Sequence, residues 1–446
     1  MRATLEKLIS ERPTPNEMPD APLLRGYLKK GCPHGDPIIL SFGETWTASP
    51  PDLTRRLADV PRHAHGYQFS MYGLPDLVDA LRERVRVEHR LAPGARERGD
   101  YEVAAASAGT RGAMFDFGRI VRERSRDPRK PVCVVMGPSW DYEGVLTPLG
   151  FKMRYVHLRA EDHFAPSLDR FEAAVAAIEA DADARLAMVV INAQHNPTGV
   201  NWSAAFVRGA VRRALGAGAH VLVDDAYYGV HSPRTEPTSA LAIVLEEVRD
   251  AGAPAGDAWL SVRSLGKQFH CNGWGLGILA ASPATLDELV NKKNLEHQLM
   301  FGAMMQDAMA RYLSSPESDA FLAAQRAGYD AKRALLRTIL TEELGYPAST
   351  LRLGECTSYT LVPLPRIYAA SVKAAAAFVD DVFERCGVMV APAWPWPLEA
   401  EEHGLVAYVR VYIGPEEATL REAFARIKRA GVSYEMPKPL GGAAAL

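Results

Sequence analysis

The sequence predicts an α/β fold with a mostly parallel central sheet, followed by a smaller α+β domain. Three observations lead there. Short apolar runs at 132–136, 186–191, 220–223, 259–262 and 276–281 are each bounded by Gly, Pro, Asn or Asp, which is how buried strands read. Helical patterns lie between them, as at 168–180 (LDRFEAAVAAIEA) and 202–215. Strand–helix alternation favours parallel strands with helices on both faces. After about residue 312 the pattern changes to a long helical stretch, 319–344, then two strands, 358–362 and 407–412, around a helical run at 372–385.

Composition narrows the function classes. The chain has 446 residues, 48% hydrophobic and 24% charged, with a net charge of −3. At roughly 150 residues per domain, that is about two to three domains. A core of this size needs no disulfide or metal staple. The 51 basic and 54 acidic residues are scattered without long like-charge blocks, which argues against a nucleic-acid or polybasic membrane binder. The first 40 residues are rich in Pro and Gly and read as an extended arm; 441–446 read as a frayed tail. The N-terminus has no apolar segment of a signal peptide, and no stretch approaches the roughly 18 apolar residues of a membrane span. A cytoplasmic protein is expected. Cys32, Cys133, Cys271, Cys356 and Cys386 are widely spaced, with no CxxC pair, and read as reduced, mostly buried thiols. His63 and His65 lie near Tyr67 without carboxylate or cysteine partners. They read as loop residues, and no metal is expected.

Chemistry in open α/β sheets gathers at the carboxyl ends of strands. After 103–106 comes Ser107-Ala108-Gly109-Thr110-Arg111-Gly112, then a helical pattern from Ala113. Such a turn offers free N–H groups to an anion, though a plain helix start looks the same. After 132–136, Trp140 offers either a flat face for a ring or a core aromatic. After 187–191 comes Asn192-Ala193-Gln194-His195-Asn196-Pro197-Thr198-Gly199. This is a tight turn whose Asn196 side chain can donate to a ligand oxygen. After 221–223 comes Asp224-Asp225-Ala226-Tyr227, and a carboxylate ending a buried strand is costly without a cationic partner. After 259–262 comes Arg263-Ser264-Leu265-Gly266-Lys267-Gln268-Phe269. A lysine in that setting suits a Schiff-base nucleophile, with a surface lysine as the plain alternative. Only 12 of the 51 basic residues are lysine, which makes Lys267 stand out. The string Gly273-Trp274-Gly275-Leu276-Gly277 precedes a strand instead of joining a strand to a helix, so it fails as a dinucleotide fingerprint.

In this order, these residues resemble fold-type I pyridoxal-phosphate (PLP)-dependent enzymes of the class I/II aminotransferase family, from about residue 39 to 414. The set is Gly109-Thr110, Trp140, Asn196-Pro197-Thr198-Gly199, Asp224-x-Ala226-Tyr227 and Ser264-x-x-Lys267. Ser41-Phe42-Gly43-Glu44, Tyr67 with Gly73-Leu74-Pro75, and Val409-Arg410-Val411 extend it. The resemblance implies pyridoxal 5'-phosphate as cofactor and a homodimer with shared active sites. Lys267 would carry the cofactor as an aldimine and then move protons. Asp224 would pair with the ring nitrogen, and Asn196 and Tyr227 would bond the ring oxygen. Trp140 would stack on the ring. Gly109, Thr110 and Ser264 would hold the phosphate, and Tyr67 would reach the phosphate of the neighbouring subunit. Arg410 would pair with the substrate α-carboxylate, with Gly43 close to the substrate. The domains would be 1–60 (an arm and part of the small domain), 61–312 (the large PLP-binding domain) and 313–446 (the C-terminal small domain). The segments 13–35 and 394–404 would shape the substrate pocket.

Two departures stand out. Eight residues after the lysine the family usually places a phosphate-clamping arginine; here it is Gly275. The phosphate site is then either less cationic than in the family, or Arg111 or Arg263 substitutes. The serine before the lysine is replaced by Gly266. His195 and His270 flank the motifs and read as packing residues before extra acid–base groups. The expected function is transfer of an amino group between an amino acid and a keto acid, in biosynthesis. The alternative keeps the Lys267 aldimine and the quinonoid but diverts them. It covers β/γ-elimination or replacement, carbon–carbon bond formation on an S-adenosylmethionine-like substrate, or amino-acid oxidation. Intact Asp224, Tyr227, Lys267 and Arg410 argue against a silent binding domain.

Overall fold

Seven strands form the main sheet: β1 (Glu102–Ala106), β2 (Lys130–Gly137), β3 (Lys152–His157), β4 (Ala184–Ile191), β5 (His220–Asp224), β6 (Trp259–Ser264) and β7 (Gly277–Ala281). In this computed structural model their order is β1-β7-β6-β5-β4-β2-β3. The described residues are 2–9, 18, 20–43, 48–106, 108–252, 256–299, 302–368, 370–393 and 407–441. Strands β3, β2, β4, β5 and β6 pair in parallel, while β7 runs antiparallel to both neighbours. The fold class is therefore the α/β class expected. Strands β2 and β4 are buried almost throughout, as strands covered on both faces should be. Strand β3 (KMRYVH) is an edge strand with alternating exposure. It has no apolar run, so it does not read as a strand in the sequence.

The sheet core explains why these runs fold together. Helix Gly109–Arg124 packs Phe117, Ile120 and Val121 into a cluster with Val135, Val190, Leu222, Leu260 and Val262. Each such buried side chain contributes about 1.5–3 kcal/mol. The parallel strands bring Gly137, Ile191, Asp224 and Ser264 to one edge of the sheet. Strand order reverses between β2 and β4, and such a switch point opens a crevice for ligands.

The chain divides into two compact units: Glu44–Gly328 with Glu355–Thr357, and Met1–Gly43 with Tyr329–Gly354 and Ser358–Leu446. The division differs from the expected 1–60, 61–312 and 313–446. Helix Pro51–Arg55 and the turn after it pack on helix Ala303–Leu313, where Arg311 Nη2 donates to Arg56 O at 2.8 Å. Residues 48–60 therefore belong to the sheet unit. The other boundary falls inside helix Pro316–Thr338. The first part of that helix is held by Phe321 against Phe269 at 6.3 Å and by Gln325 Nε2 donating to Gln268 O at 2.8 Å.

The second unit corrects the expected extended arm. It begins with helices Arg2–Leu8 and Asp20–Lys29, and Ile38–Ile39 pairs in parallel with Val388–Met389. Leu5, Leu24, Tyr27, Ile39, Phe383 and Met389 share one apolar cluster. Pro and Gly content misled the reading; Pro13 and Pro15 lie outside the described residues. Strand Tyr408–Tyr412 sits between Ala391–Pro392 and Tyr359–Pro363, antiparallel to both. Helix Val372–Cys386 joins the outer two. All five cysteines are buried free thiols. Among the described residues no helix is long and apolar enough to cross a membrane, and no His/Cys/Asp/Glu group is arranged to hold a metal.

Candidate active site

Asp224 ends β5 and is 4% exposed. Its Oδ2 accepts the Tyr142 hydroxyl at 2.5 Å, and its Oδ1 accepts the Ala226 amide at 3.1 Å. Burial pushes its carboxyl above the ordinary range, and these two hydrogen bonds pull it back in part. No cation bonds to it among the described residues. Burial and the neighbouring Asp224 push the Tyr142 phenol well up, so Tyr142 stays a proton donor. Tyr227 is buried in the turn that follows the strand.

The turn after β4 is fastened to the end of β5 by one side chain. Asn192 Nδ2 donates to Asp224 O at 2.6 Å, and Asn192 Oδ1 accepts the Asn196 amide at 2.9 Å. Asn196 is thereby fixed beside Asp224, and its buried Oδ1 has no hydrogen-bond partner. Buried polar atoms are nearly always satisfied, so an orphan of this kind points to a group that arrives with a ligand. His195 stacks on Trp202 at 5.1 Å, and its Nδ1 lies 2.8 Å from Thr198 Oγ1. Burial holds it neutral, pushed down to about 3.

Lys267 lies on a single helical turn, Leu265–Gln268, that continues β6. Ser264 caps the turn by accepting the Lys267 amide at 3.3 Å. The Lys267 ammonium makes no hydrogen bond or ion pair among the described residues. Gly266 is required here: a Cβ would lie 2.9 Å from Asn272 Cα. Gly275, at φ +65, places its carbonyl 2.6 Å from the Gly109 amide. Gly277 is equally tight, since a Cβ would meet Arg263 O at 2.7 Å and Thr110 Cγ2 at 3.0 Å. These close approaches bring Gly109, Thr110, Ser264 and Lys267 around one end of β6 and β7. Helix Gly109–Arg124 starts there without a side-chain cap.

Trp140 follows β2, half-buried, with Tyr142 at 5.4 Å edge-on and the Arg111 guanidinium 5.1 Å from its ring centre. Arg263 is elsewhere: it is 2% exposed, paired with Glu88 and stacked 5.0 Å over Tyr228. Tyr67 is 71% exposed on the sheet unit. In the other unit, Arg410 Nη2 donates to Ser41 O at 2.8 Å, its guanidinium lies 4.4 Å over Tyr359, and its buried Nε has no partner. At Gly43 a Cβ would lie 2.7 Å from the Tyr359 hydroxyl.

A family model described as "Aminotransferase class I and II" matches residues 124–427. The chain belongs to that family. The matched segment includes Trp140, Asn196, Asp224, Tyr227, Ser264, Lys267 and Arg410 of this aminotransferase-family chain, while Gly43, Tyr67, Gly109 and Thr110 precede it. An aspartate aminotransferase of Rhizobium meliloti is 24% identical over 88% of each chain. The transaminase BacF of Bacillus subtilis is 22% identical over 89% of this chain and 90% of its own. An LL-diaminopimelate aminotransferase of Gloeobacter violaceus is 26% identical over 55% of this chain and 56% of its own. A solved aspartate aminotransferase of Thermus thermophilus, a double mutant, superposes with a TM-score of 0.73 at 20% identity, over 94% of this chain and 97% of that one. The fold is thus fold-type I, and the enzyme class is a PLP-dependent transferase.

Sequence reasoning missed two residues of this aminotransferase-family site. Tyr142 carries no motif of its own, although its place two residues after Trp140 at a strand end was a signal. Asn192 was visible at the end of β4, where a side-chain amide is an expensive thing to bury without purpose. Glu44, Ser107 and residues 394–404 lie outside the described residues.

Proposed function

We propose that this PLP-dependent aminotransferase moves the amino group of an α-amino acid to a 2-oxo acid with the residues just described. The observation that carries the reading is Asp224, a buried carboxylate with two neutral donors and no bonded cation. A protonated ring nitrogen suits that carboxylate in charge. The uncapped start of helix Gly109–Arg124 suits the phosphate of the same group, and the Asn196 amide nitrogen is the donor that suits its ring oxygen.

When bound, PLP supplies a ring that accepts the electron pair of the broken Cα–H bond. Asp224 holds the proton on the ring nitrogen, which keeps the ring electron-poor. Asn196 and Tyr227 orient the ring oxygen, and Trp140 covers one ring face. Thr110 and Ser264 would cradle the phosphate, with Gly109, whose amide is held by Gly275 O, shaping the turn that presents them. Lys267 Nζ would tether the cofactor and, once the incoming substrate amine has released it, would take the proton from the substrate Cα. Arg410 would bind the α-carboxylate as a two-pronged donor, with Gly43 near the substrate. The exposed Tyr67 phenol suits a second copy of the chain, so the enzyme is proposed to work as a homodimer with shared sites, in the cytoplasm.

A panel of amino acids with a 2-oxo acid acceptor tests this. Equal amounts of new 2-oxo acid and new amino acid are expected, with loss of both in Lys267→Ala. Release of ammonia in place of a new amino acid, or failure of the wild-type chain to bind PLP, overturns the reading.

A further inference from the structure

We infer that Arg111 is the cation that clamps the cofactor phosphate in this chain, in place of the arginine that Gly275 lacks. The inference rests on the PLP reading above.

The position eight after Lys267 holds no side chain. Gly275 instead uses its carbonyl to occupy the Gly109 amide at 2.6 Å. That removes one donor from the helix start as well as one cation. Helix Gly109–Arg124 follows Ala108, which offers no side-chain cap, and it has no acidic residue in its first turn. The remaining first-turn amides have no intrahelical acceptor and concentrate partial positive charge there.

Arg111 sits in that same turn. A guanidinium at the positive end of a helix dipole works against helix stability. The ion pair with Asp141 offsets part of that cost, and the guanidinium stands at the end of the helix where an anion belongs. Helical side chains lean back toward their N-terminus, so Arg111 reaches over the helix start and away from the helix body.

Its contacts leave capacity for a phosphate. Nη2 bonds Asp141 Oδ2 at 2.6 Å, and the side chain stays 50% exposed. Nε and Nη1 make no hydrogen bond among the described residues. Asp141 Oδ1 is already committed to the Gly144 amide at 2.8 Å, so Asp141 holds the guanidinium at one point and leaves the other edge of the fork open. The guanidinium also lies 5.1 Å from the Trp140 ring centre. The competing arginine is excluded by its position. Arg263 is buried, paired with Glu88 and stacked on Tyr228, and pulling it out would break that ion pair and leave a buried guanidinium without its carboxylate.

The test compares the full-length wild type with Arg111→Ala and Arg111→Lys, by equilibrium binding of PLP and of pyridoxal, which has no phosphate. Arg111→Ala is expected to bind PLP roughly 10- to 100-fold more weakly, the loss of a charge-assisted pair of hydrogen bonds. Its affinity for pyridoxal should be unchanged, and Arg111→Lys should recover part of the loss. Inorganic phosphate should raise the melting temperature of the cofactor-free wild type and not that of Arg111→Ala. Wild-type PLP affinity in Arg111→Ala, or an equal loss for pyridoxal, overturns the inference while leaving the PLP reading intact. A wild type that binds neither compound overturns both.

Discussion

Tyr142 donates its hydroxyl to Asp224 Oδ2 at 2.5 Å, and both residues are buried. The contact is the strongest neutral support the carboxylate has, because burial otherwise drives Asp224 toward its protonated form. A protonated Asp224 would have no charge to hold a proton on the cofactor ring.

Removing that hydroxyl therefore weakens the cofactor site without changing its shape. A hydrogen bond to a charged group is worth about 1.5–3 kcal/mol. Tyr142→Phe is expected to bind PLP at least tenfold more weakly and to shift the pH at which binding is half lost upward. Titration of PLP binding against pH measures both. An unchanged affinity and pH profile would remove Tyr142 from the site.

Gly266 stands where relatives in the resemblance carry serine, and the reason is steric. A Cβ there would press to 2.9 Å on Asn272 Cα, a backbone atom with no freedom to swing away. Overpacking of this kind costs about 1–3 kcal/mol. Gly266→Ser should lower the melting temperature of the cofactor-free chain. It should also weaken PLP binding, because the turn that bears Lys267 must shift. Full stability in Gly266→Ser would show that the Asn272 loop yields freely.

The elements legible in the sequence were those that bury both faces. The runs that became β2, β4, β5, β6 and β7 are predominantly apolar, with Ser261 inside β6 and His220 at the start of β5 as the polar positions. Strand β3 exposes Lys152 and Arg154 on the sheet edge, so its pattern is that of a loop. The N-terminal helices were hidden by the prolines around them. At the site, residues with a motif (Lys267, Asp224, Asn196) were readable. Tyr142 and Asn192 were not, because their roles exist only once β2, β4 and β5 lie side by side. The fate of Arg263 was equally out of reach. Glu88 lies far away in sequence, at the end of helix Pro75–Glu88.

The pairing of Arg263 with Glu88 supports the strand that ends at Ser264. Glu88 also accepts Arg84 Nη1 at 2.6 Å. Burial pushes its carboxyl up, but Arg263 and Arg84 together hold it below the ordinary range. Breaking such a buried group by removing one partner costs about 3–5 kcal/mol. Glu88→Gln should lose stability on that scale in urea unfolding. Glu88→Gln combined with Arg263→Met should cost less than the sum of the two single changes, because the stranded charge is gone. Additive losses would mean that the two residues act independently.

Acid sensitivity follows from two buried histidines, His89 and His195, and the half-buried His220. Burial pushes His89 and His195 down to about 3 and His220 down to about 4. Each is neutral when folded and titrates near 6.5 when unfolded. The unfolded chain then binds more protons at lower pH, so the folded state loses ground as pH falls from about 6.5 toward 3 or 4. Each histidine adds a slope of about 1.4 kcal/mol per pH unit inside that window. Asp225 pulls the other way. Burial pushes its carboxyl up to about 7, so it gains stability as pH falls through the same range and cancels about one histidine. The cofactor-free wild type should therefore be less stable in urea at pH 5 than at pH 7. His195→Gln, which keeps a polar side chain beside Thr198 and removes the titrating ring, should flatten that difference. Asp225→Asn should steepen it, since the opposing carboxyl no longer titrates. Equal stability at the two pH values in both wild type and Asp225→Asn would mean that these histidines take up protons in the folded state as readily as in the unfolded one.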